Sequence, residues 1–322
     1  MAATRILLVD NGSLQPAATL QLRLLSKEVG RLLGETVHPV SVLHSHKIAP
    51  ALLEGQPAVI FEKAIQQAKA DGINELIVLP LFIGPSLAIT EYLPKVFAEA
   101  NAGKMKLSIR EPLFGPELIS MLIDNLKSTG WSKGSGTVYL CDHGSPIREV
   151  TRCRDFFAFS LRNQLGLNED ELIACSMERR DGAEYDFNKP LLEDALQQAK
   201  GDAVILMLFL LPGRHAGSDG DVATIAKEHA PDGLRWELSP LLGTHPALPA
   251  LLVRRHLHSP NFKTTKIAAI TALLATGLLP VLGSIPAPKD QGTGASLMIW
   301  LGAFAVIFTA LFFLRAKVWK KT

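Results

Sequence analysis

Three short stretches in the second half of the chain carry residue types that bind metals and move protons. His143 lies in DHGS (142–145), Glu178 follows ACSM (174–177), and His215 ends PGRH (212–215). Two imidazoles and a carboxylate suit a divalent transition metal. A neutral imidazole, with a pKa of about 6.5, also accepts protons at neutral pH. We therefore take His143, Glu178 and His215 as candidate metal ligands and the two histidines as candidate bases.

Each of these residues also has a plainer interpretation when it is taken alone. A histidine after a strand often caps a helix or lies at the surface, and Glu178 opens the polar stretch ERRDGAE, which is typical of a solvated loop. A shared site is favoured because all three residues follow a predicted strand. The carboxyl ends of parallel strands meet at one sheet edge, where ligands bind in α/β folds.

The elements that must position these residues alternate between strand and helix. Near-continuous apolar runs such as VILMLFLL are typical of strands buried on both faces of a parallel sheet, and segments of helical periodicity separate them. The fold class is therefore α/β, built as three-layer αβα sandwiches. In the second half, the predicted strands are 137–142, 172–177, 203–210 and 234–239, and two predicted helices are 188–200 and 218–230.

An internal repeat divides the chain into two such units. RILLVDNGS (5–13) matches TVYLCDHGS (137–145), and EKAIQQAK (62–69) matches EDALQQAK (193–200). The spacing between equivalents stays near 130 residues, which indicates two copies of one unit. We assign these copies to residues 1–131 and 137–258, on either side of the flexible stretch TGWSKGSG (129–136).

The first copy lacks the chemistry of the second. Asn11 stands where His143 stands, and an ungapped match puts Ala88 in the place of His215. Neither an amide nor a methyl group can replace an imidazole at a transition metal. His44 falls opposite Glu178, and with His46 it forms either a metal-binding pair or an exposed strand-end pair. We expect one working site, in the second copy.

Together, the tandem units, the HGS after the first strand, the Glu after the second and the G-x-H after the third resemble the sirohydrochlorin chelatases, the CbiX-type class II tetrapyrrole chelatases. The resemblance covers about 250 residues and implies insertion of Co²⁺ or Fe²⁺ into sirohydrochlorin or a related tetrapyrrole, in cobalamin or siroheme biosynthesis. It makes His143 and His215 metal ligands and bases, with Glu178 as their acidic partner. In one respect the chain departs from the family: an Asp-Ile-Pro motif is reduced to Asp219 in HAGSDGDV.

The same resemblance implies a substrate with many carboxylates and no permanently bound cofactor, since the metal is itself a substrate. Ser145, Arg148 and Arg214 lie near the strand ends and are the candidate substrate-binding residues.

Cys141 precedes His143 by two positions and so lies on the same strand face. It is either a buried core thiol or a soft metal ligand.

The C-terminal part of the chain predicts a membrane anchor. Residues 267–285 and 297–314 contain no charged residue, and each is long enough to cross a bilayer. Basic residues flank both segments on the outside, so the positive-inside rule predicts a hairpin over 267–314 with both termini cytoplasmic. Seven of the 33 basic residues but one of the 31 acidic residues lie from Lys263 onward. The preceding part is therefore weakly acidic, and we expect no nucleic-acid partner.

Two functions of other classes remain open from the sequence. One is a non-catalytic, membrane-anchored protein that binds or carries a metal or a tetrapyrrole. The other is a histidine phosphatase, suggested by Arg214-His215. That chemistry presents Arg-His-Gly after the first strand, whereas here Ala216 follows and the motif comes after the third strand.

Overall fold

The architecture comes from a computed structural model that describes residues 3–199 and 201–258. It contains two four-stranded, wholly parallel sheets with strand orders β2-β1-β3-β4 and β6-β5-β7-β8. The strands are β1 (Thr4–Asp10), β2 (Val37–Ser41), β3 (Glu75–Pro80), β4 (Lys106–Ile109), β5 (Gly136–Asp142), β6 (Leu172–Ser176), β7 (Asp202–Met207) and β8 (Trp236–Leu238). The predicted α/β class and parallel sheets are confirmed.

Helices connect the strands in both halves, and the predicted helices of the second half are present but shorter than expected. The helices are α1 (Pro16–Leu33), α2 (Phe61–Ala70), α3 (Leu93–Glu99), α4 (Pro116–Ser128), α5 (Arg148–Leu165), α6 (Leu192–Leu196), α7 (Asp221–His229) and α8 (Leu248–His258). The first helix of each half ends at a glycine in the left-handed conformation, Gly34 or Gly166, a common helix terminator. The stretch 129–136 connects α4 to β5, as its composition predicts.

The inner helices of the two halves share one core instead of forming two separate sandwiches. A single hydrophobic cluster joins Leu8 of β1, Leu122 of α4, Phe157 of α5 and Leu206 of β7. The ring of Phe114 lies 5.4 Å from that of Phe157, across the two halves. The inner faces of both predicted three-layer units are therefore buried by a common helix layer.

The last helix of each half contributes most to this sharing. Helix α4 packs against β7 of the second sheet, and α8 packs against β3 of the first. Arg255 of α8 donates a hydrogen bond to the backbone oxygen of Phe114 at 3.0 Å. Both sheets belong to one compact unit.

The predicted hairpin over 267–314 lies outside the described residues. Within residues 3–199 and 201–258, no helix is long and apolar enough to span a membrane.

Candidate active site

The first arm of the site is the loop that follows β5. Strand β5 ends at Asp142, so His143 is the first residue beyond the sheet edge. Gly144 has a φ of +89°, and a Cβ there would lie 1.9 Å from the backbone oxygen of Glu178. The N–H of Glu178 donates to the oxygen of His143 at 3.2 Å. The glycine therefore permits the close approach that brings His143 and Glu178 together.

A buried polar network holds the base of this loop. The Asp142 carboxylate accepts hydrogen bonds from Ser176 Oγ at 2.5 Å and from the N–H of Gly144 at 3.1 Å. Burial raises the pKa of Asp142, while the buried guanidinium of Arg154, at 3.9 Å, acts in the opposite direction. These contacts connect the end of β5, the turn at Gly144 and helix α5 directly below His143.

Asn188 is a central residue of this network that the sequence analysis missed. It is fully buried, and its Oδ1 accepts hydrogen bonds from the N–H of Ser145 at 3.0 Å and the hydroxyl of Thr151 at 2.8 Å. Its Nδ2 donates to the oxygen of Ser145 at 2.8 Å. Asn188 lies 43 residues after Ser145, at the end of a short 3₁₀ helix (Ala183–Asn188), and no periodicity or motif indicates this role.

The second arm of the site is the loop between β7 and α7, where His215 is oriented by Asp221. His215 Nδ1 lies 2.6 Å from Asp221 Oδ2, and the N–H of Val222 donates to the oxygen of His215 at 3.2 Å. A carboxylate on one imidazole nitrogen sets the tautomer and leaves the other nitrogen for a ligand.

The acidic partner of His215 is not Asp219, the one residue of the family's Asp-Ile-Pro motif that this chain keeps. The Asp219 carboxylate accepts a hydrogen bond from the hydroxyl of Ser218 at 3.4 Å in an exposed position. Asp221 is the first residue of α7, and its backbone N–H also bonds the oxygen of Arg214 at 3.1 Å. The helix start therefore selects Asp221, two residues beyond Asp219, as the partner of His215.

The structure brings the three candidate ligands into contact. The rings of His143 and His215 meet edge to face with centroids 4.6 Å apart. His143 Nε2 lies 3.3 Å from Glu178 Oε1. Over the described ranges, however, no three His, Cys, Asp or Glu side chains are arranged so that they could hold a metal ion together. Glu178 here pairs with the imidazole nitrogen instead of standing beside it as a third donor.

The three candidate substrate-binding residues occupy different settings. Arg214 is 78% exposed and reaches Asp221 Oδ2 through Nε at 3.4 Å. Arg148 lies over the ring of Phe187, 4.6 Å from its centroid. Ser145 Oγ accepts a hydrogen bond from the N–H of Ile147 at 3.0 Å. Of the three, Arg214 therefore offers the most accessible charge beside an imidazole.

The first half lies beside this site but has no imidazole at the two equivalent positions. Strand registers make Asn11 equivalent to His143, and an ungapped count from Pro80 and Met207 makes Ala88 equivalent to His215. A Cβ on Gly213 would lie 3.4 Å from Ser13 Oγ, so the loops after β7 and β1 lie against each other.

The residue equivalent to Glu178 is Leu43, not His44 as we expected. The N–H of Leu43 donates to the oxygen of Asn11, just as the N–H of Glu178 donates to the oxygen of His143.

Of the two interpretations of Cys141, the structure supports a core thiol, because the side chain is fully buried and burial raises the pKa of the thiol.

Comparison with known proteins finds a family model that is similar to the second half. The CbiX family model matches residues 137–259. Among curated protein sequences, no match to this chain is found.

Solved structures of similar fold cover both halves. SirB from Bacillus subtilis with Fe3+ aligns with a TM-score of 0.57 at 16% identity, over 79% of this chain and 94% of that chain. The sirohydrochlorin chelatase SirB from Bacillus subtilis subspecies spizizenii in complex with cobalt aligns with a TM-score of 0.58 at 16% identity, over 79% and 93%. CbiX, described as the terminal enzyme for biosynthesis of siroheme in denitrifying bacteria, aligns with a TM-score of 0.53 at 18% identity, over 78% and 97%.

At these identities the structural matches establish a shared fold. The segment that the CbiX family model matches contains all three candidate ligands. The second half of this chain is therefore similar to the CbiX family.

Proposed function

We propose that this protein inserts a divalent metal, Co²⁺ or Fe²⁺, into sirohydrochlorin or a related tetrapyrrole, as a step of cobalamin or siroheme biosynthesis. The observation that carries the proposal is the imidazole pair of His143 and His215, which meets at the sheet edge with a carboxylate against each ring. Similar folds have been solved with Fe3+ and with cobalt. The metal is a substrate, and we propose no permanently bound cofactor.

Metallation requires two pyrrole N–H protons to leave as the metal enters the ring. His143 and His215 can each accept one proton, and Glu178 and Asp221 would stabilise the resulting imidazolium ions. Before that step, the same imidazole nitrogens can hold the metal, with Glu178 as a third ligand after it turns away from His143. A site of three or fewer protein ligands leaves coordination positions open for the incoming nitrogens.

Binding of the acidic macrocycle would fall to residues around the imidazole pair. Arg214 is 78% exposed and adjoins His215. The guanidinium of Arg148 and the hydroxyl of Ser145 lie at the start of α5 and can donate to further carboxylates. The first half, with Asn11 and Ala88, forms the opposite wall and provides no proton acceptor of its own at these positions.

The test compares matched substitutions in the two halves. His143→Ala and His215→Ala should each lower the rate of metal insertion by about 100-fold or more, because each removes a ligand and a base. Asn11→Ala, at the equivalent position of the first half, should change the rate less than about threefold. Rates are measured spectrophotometrically with sirohydrochlorin and Co²⁺ or Fe²⁺. Equal losses in His143→Ala and Asn11→Ala, or no loss in either, would show that the site lies elsewhere.

The alternative function is a non-catalytic, membrane-anchored carrier of metal or tetrapyrrole. The pairing of Glu178 with His143, in place of a preassembled set of three ligands, is the observation that favours it. A carrier would bind the macrocycle or the metal with saturable affinity and show no turnover above the spontaneous rate. Glu178→Gln separates the two cases, since it should slow insertion by an enzyme but leave tetrapyrrole binding by a carrier intact.

We also propose that residues 267–314 anchor the protein in a membrane as a two-helix hairpin, with both termini and the site on the cytoplasmic side. The support is the absence of charge over 267–285 and 297–314 and the basic residues that flank them.

A further inference from the structure

A cavity in the first half lies away from the imidazole pair. Its volume is about 280 Å³, and it opens between α1, the edge strand β2, α2 and the loop 56–59. Thr19 and Leu22 of α1, Ser41 of β2 and Ala64 of α2 contribute to its walls. A cavity of this size can take a small organic molecule.

The charge of this cavity is one-sided. Arg5, Arg23 and His38 line it, and none of the described residues that line it carries a carboxylate. Burial and the positive charge of Arg5 lower the pKa of His38, so this ring is a neutral hydrogen-bonding group at neutral pH. Two guanidinium groups in a partly apolar cavity favour an anion.

Both arginines are held in place by the protein. Arg23 donates to the backbone oxygens of Leu53 and Gln56, each at 2.7 Å, and so fixes the loop that closes the cavity. Arg5 donates from Nη2 to Asp71 Oδ2 at 2.7 Å, and its side chain is 17% exposed. Preorganised donors lose less conformational entropy when a ligand binds.

In the second half, a buried arginine stands at the equivalent position. Helices α1 and α5 are equivalent, so Leu22 corresponds to Arg154 and Ser41 to Ser176. The buried Arg154 donates from Nη1 to Ser176 Oγ at 2.6 Å and to the oxygen of Asn188 at 2.8 Å. In the first half a leucine stands at that position, and the cavity remains open beside Ser41.

The basic lining is also specific to the first half. By the strand and helix registers, Arg5, Arg23 and His38 correspond to Thr137, Asp155 and Ile173. These three side chains are therefore not a general property of the repeated unit. The first half has both the open space and two arginines that line it.

We propose that this cavity binds a small organic carboxylate whose carboxyl group meets Arg5 and Arg23 and whose apolar part packs against Leu22 and Val40. The apolar contribution follows from the lining, which is largely leucine, valine, proline and alanine on the remaining sides. This site is separate from the candidate active site and does not depend on the proposed function.

The test uses benzoate as the probe, with the full-length chain in a mild non-ionic detergent and isothermal titration calorimetry. We expect saturable binding at one site per chain, and no saturable binding of benzyl alcohol, which has the same shape without the charge. Arg5→Gln should weaken benzoate binding by about tenfold or more, and Arg5→Lys should retain most of it. No saturable binding of benzoate, equal binding of benzyl alcohol, or binding of inorganic phosphate alone would overturn the proposal.

Matched variants separate binding from structural effects. Asp71→Asn removes the carboxylate that pairs with Arg5 but leaves the charge of Arg5 in place, so benzoate should bind as well or more tightly. If Asp71→Asn instead weakens benzoate binding as much as Arg5→Gln does, the ion pair acts only on the fold and the proposal fails. Arg235→Gln breaks a similar pair, Arg235 Nη2 to Asp202 Oδ2 at 2.6 Å, in the other half and should leave binding unchanged. Loss of benzoate binding in Arg214→Gln would place the probe at the candidate active site and refute the cavity.

Discussion

At the scale of single residues, the two imidazoles differ in how they are supported. His215 has a carboxylate at 2.6 Å on Nδ1, whereas Nδ1 of His143 lies 3.0 Å from the oxygen of Gly144, and its Nε2 faces Glu178. His215 is therefore the better-oriented metal ligand, since its tautomer is set by a charged partner. His143 is the more exposed ring and the one better placed to exchange protons with solvent.

Asp221 is expected to act on the reaction through His215. Asp221→Asn should lower metal affinity and insertion by about tenfold or more, because it removes the charge that orients the imidazole and stabilises its protonated form. The measurements are metal binding by calorimetry and the rate of insertion, which should fall together. Asp219→Asn is the control, and an equal effect of both variants would contradict this role.

Asp10 is the first-half equivalent of Asp142 but lacks a buried cation. Its Oδ1 has no hydrogen-bond partner among the described residues, and burial raises its pKa to about 6. The folded pKa lies above that of an unfolded aspartate, so stability should be fully present below about pH 4 and should fall as the pH rises through 6. Asp10→Asn should then raise the free energy of unfolding by about 2 kcal/mol at pH 7.5 and leave it little changed at pH 3.5.

Urea unfolding at the two pH values measures this difference. Asp142→Asn is the matched variant, and its gain should be smaller, because the positive charge of Arg154, 3.9 Å away, offsets part of the cost of burying the Asp142 carboxylate. An equal gain in both variants would mean that the missing cation beside Asp10 is not the cause.

At the scale of elements, the site depends on the turn between β5 and α5. A side chain at Gly144 meets the backbone oxygen of Glu178, whereas a Cβ at Gly166, which ends α5, meets only the flexible end of Lys133 at 3.3 Å. Both glycines have positive φ, so their backbone conformations carry a comparable penalty for any other residue. They differ in whether the atom that a new Cβ would contact can move away.

Gly144→Ala should therefore cost clearly more than Gly166→Ala, for which we expect about 1 kcal/mol of unfolding free energy from the left-handed conformation alone. Because the backbone of Glu178 must shift, Gly144→Ala should also reduce metal insertion, and Gly166→Ala should not. Urea unfolding and the insertion assay are run on both proteins. Similar stability losses in the two variants would show that the close approach at Gly144 is unimportant.

At the scale of the whole molecule, the shared inner core makes the two halves interdependent, because α4 covers β7 and α8 covers β3. This arrangement also explains how a half without imidazoles at Asn11 and Ala88 can be kept. It supplies apolar surface to the common core, and its loop after β1 lies against the loop after β7; neither contribution needs an imidazole at those two positions.

The proposed membrane anchor gives a prediction at the same scale. The full-length protein should sediment with membranes and require detergent for release, while a chain ending at His258 should remain in the supernatant, because the charge-free segments then are missing. Reporter proteins fused to either end should both be cytoplasmic. A full-length chain that stays in the supernatant without detergent would refute the hairpin.

The sequence by itself determined the strand order along the chain, the parallel sheets and the repeat, because these depend on local hydropathy and on similarity between segments. It also predicted that His143, Glu178 and His215 follow strands and meet at one sheet edge, although β7 ends at Met207 and His215 lies within the loop that follows. Only the tertiary structure decided that Asp221 orients His215, that Leu43 rather than His44 is the equivalent of Glu178, and that Asn188 joins the loops. These pairings depend on where a helix begins and on contacts between distant segments, which no local pattern records. The shared core and the basic cavity also depend on the tertiary structure. The core forms where the two halves meet, and the cavity forms where a helix meets an edge strand.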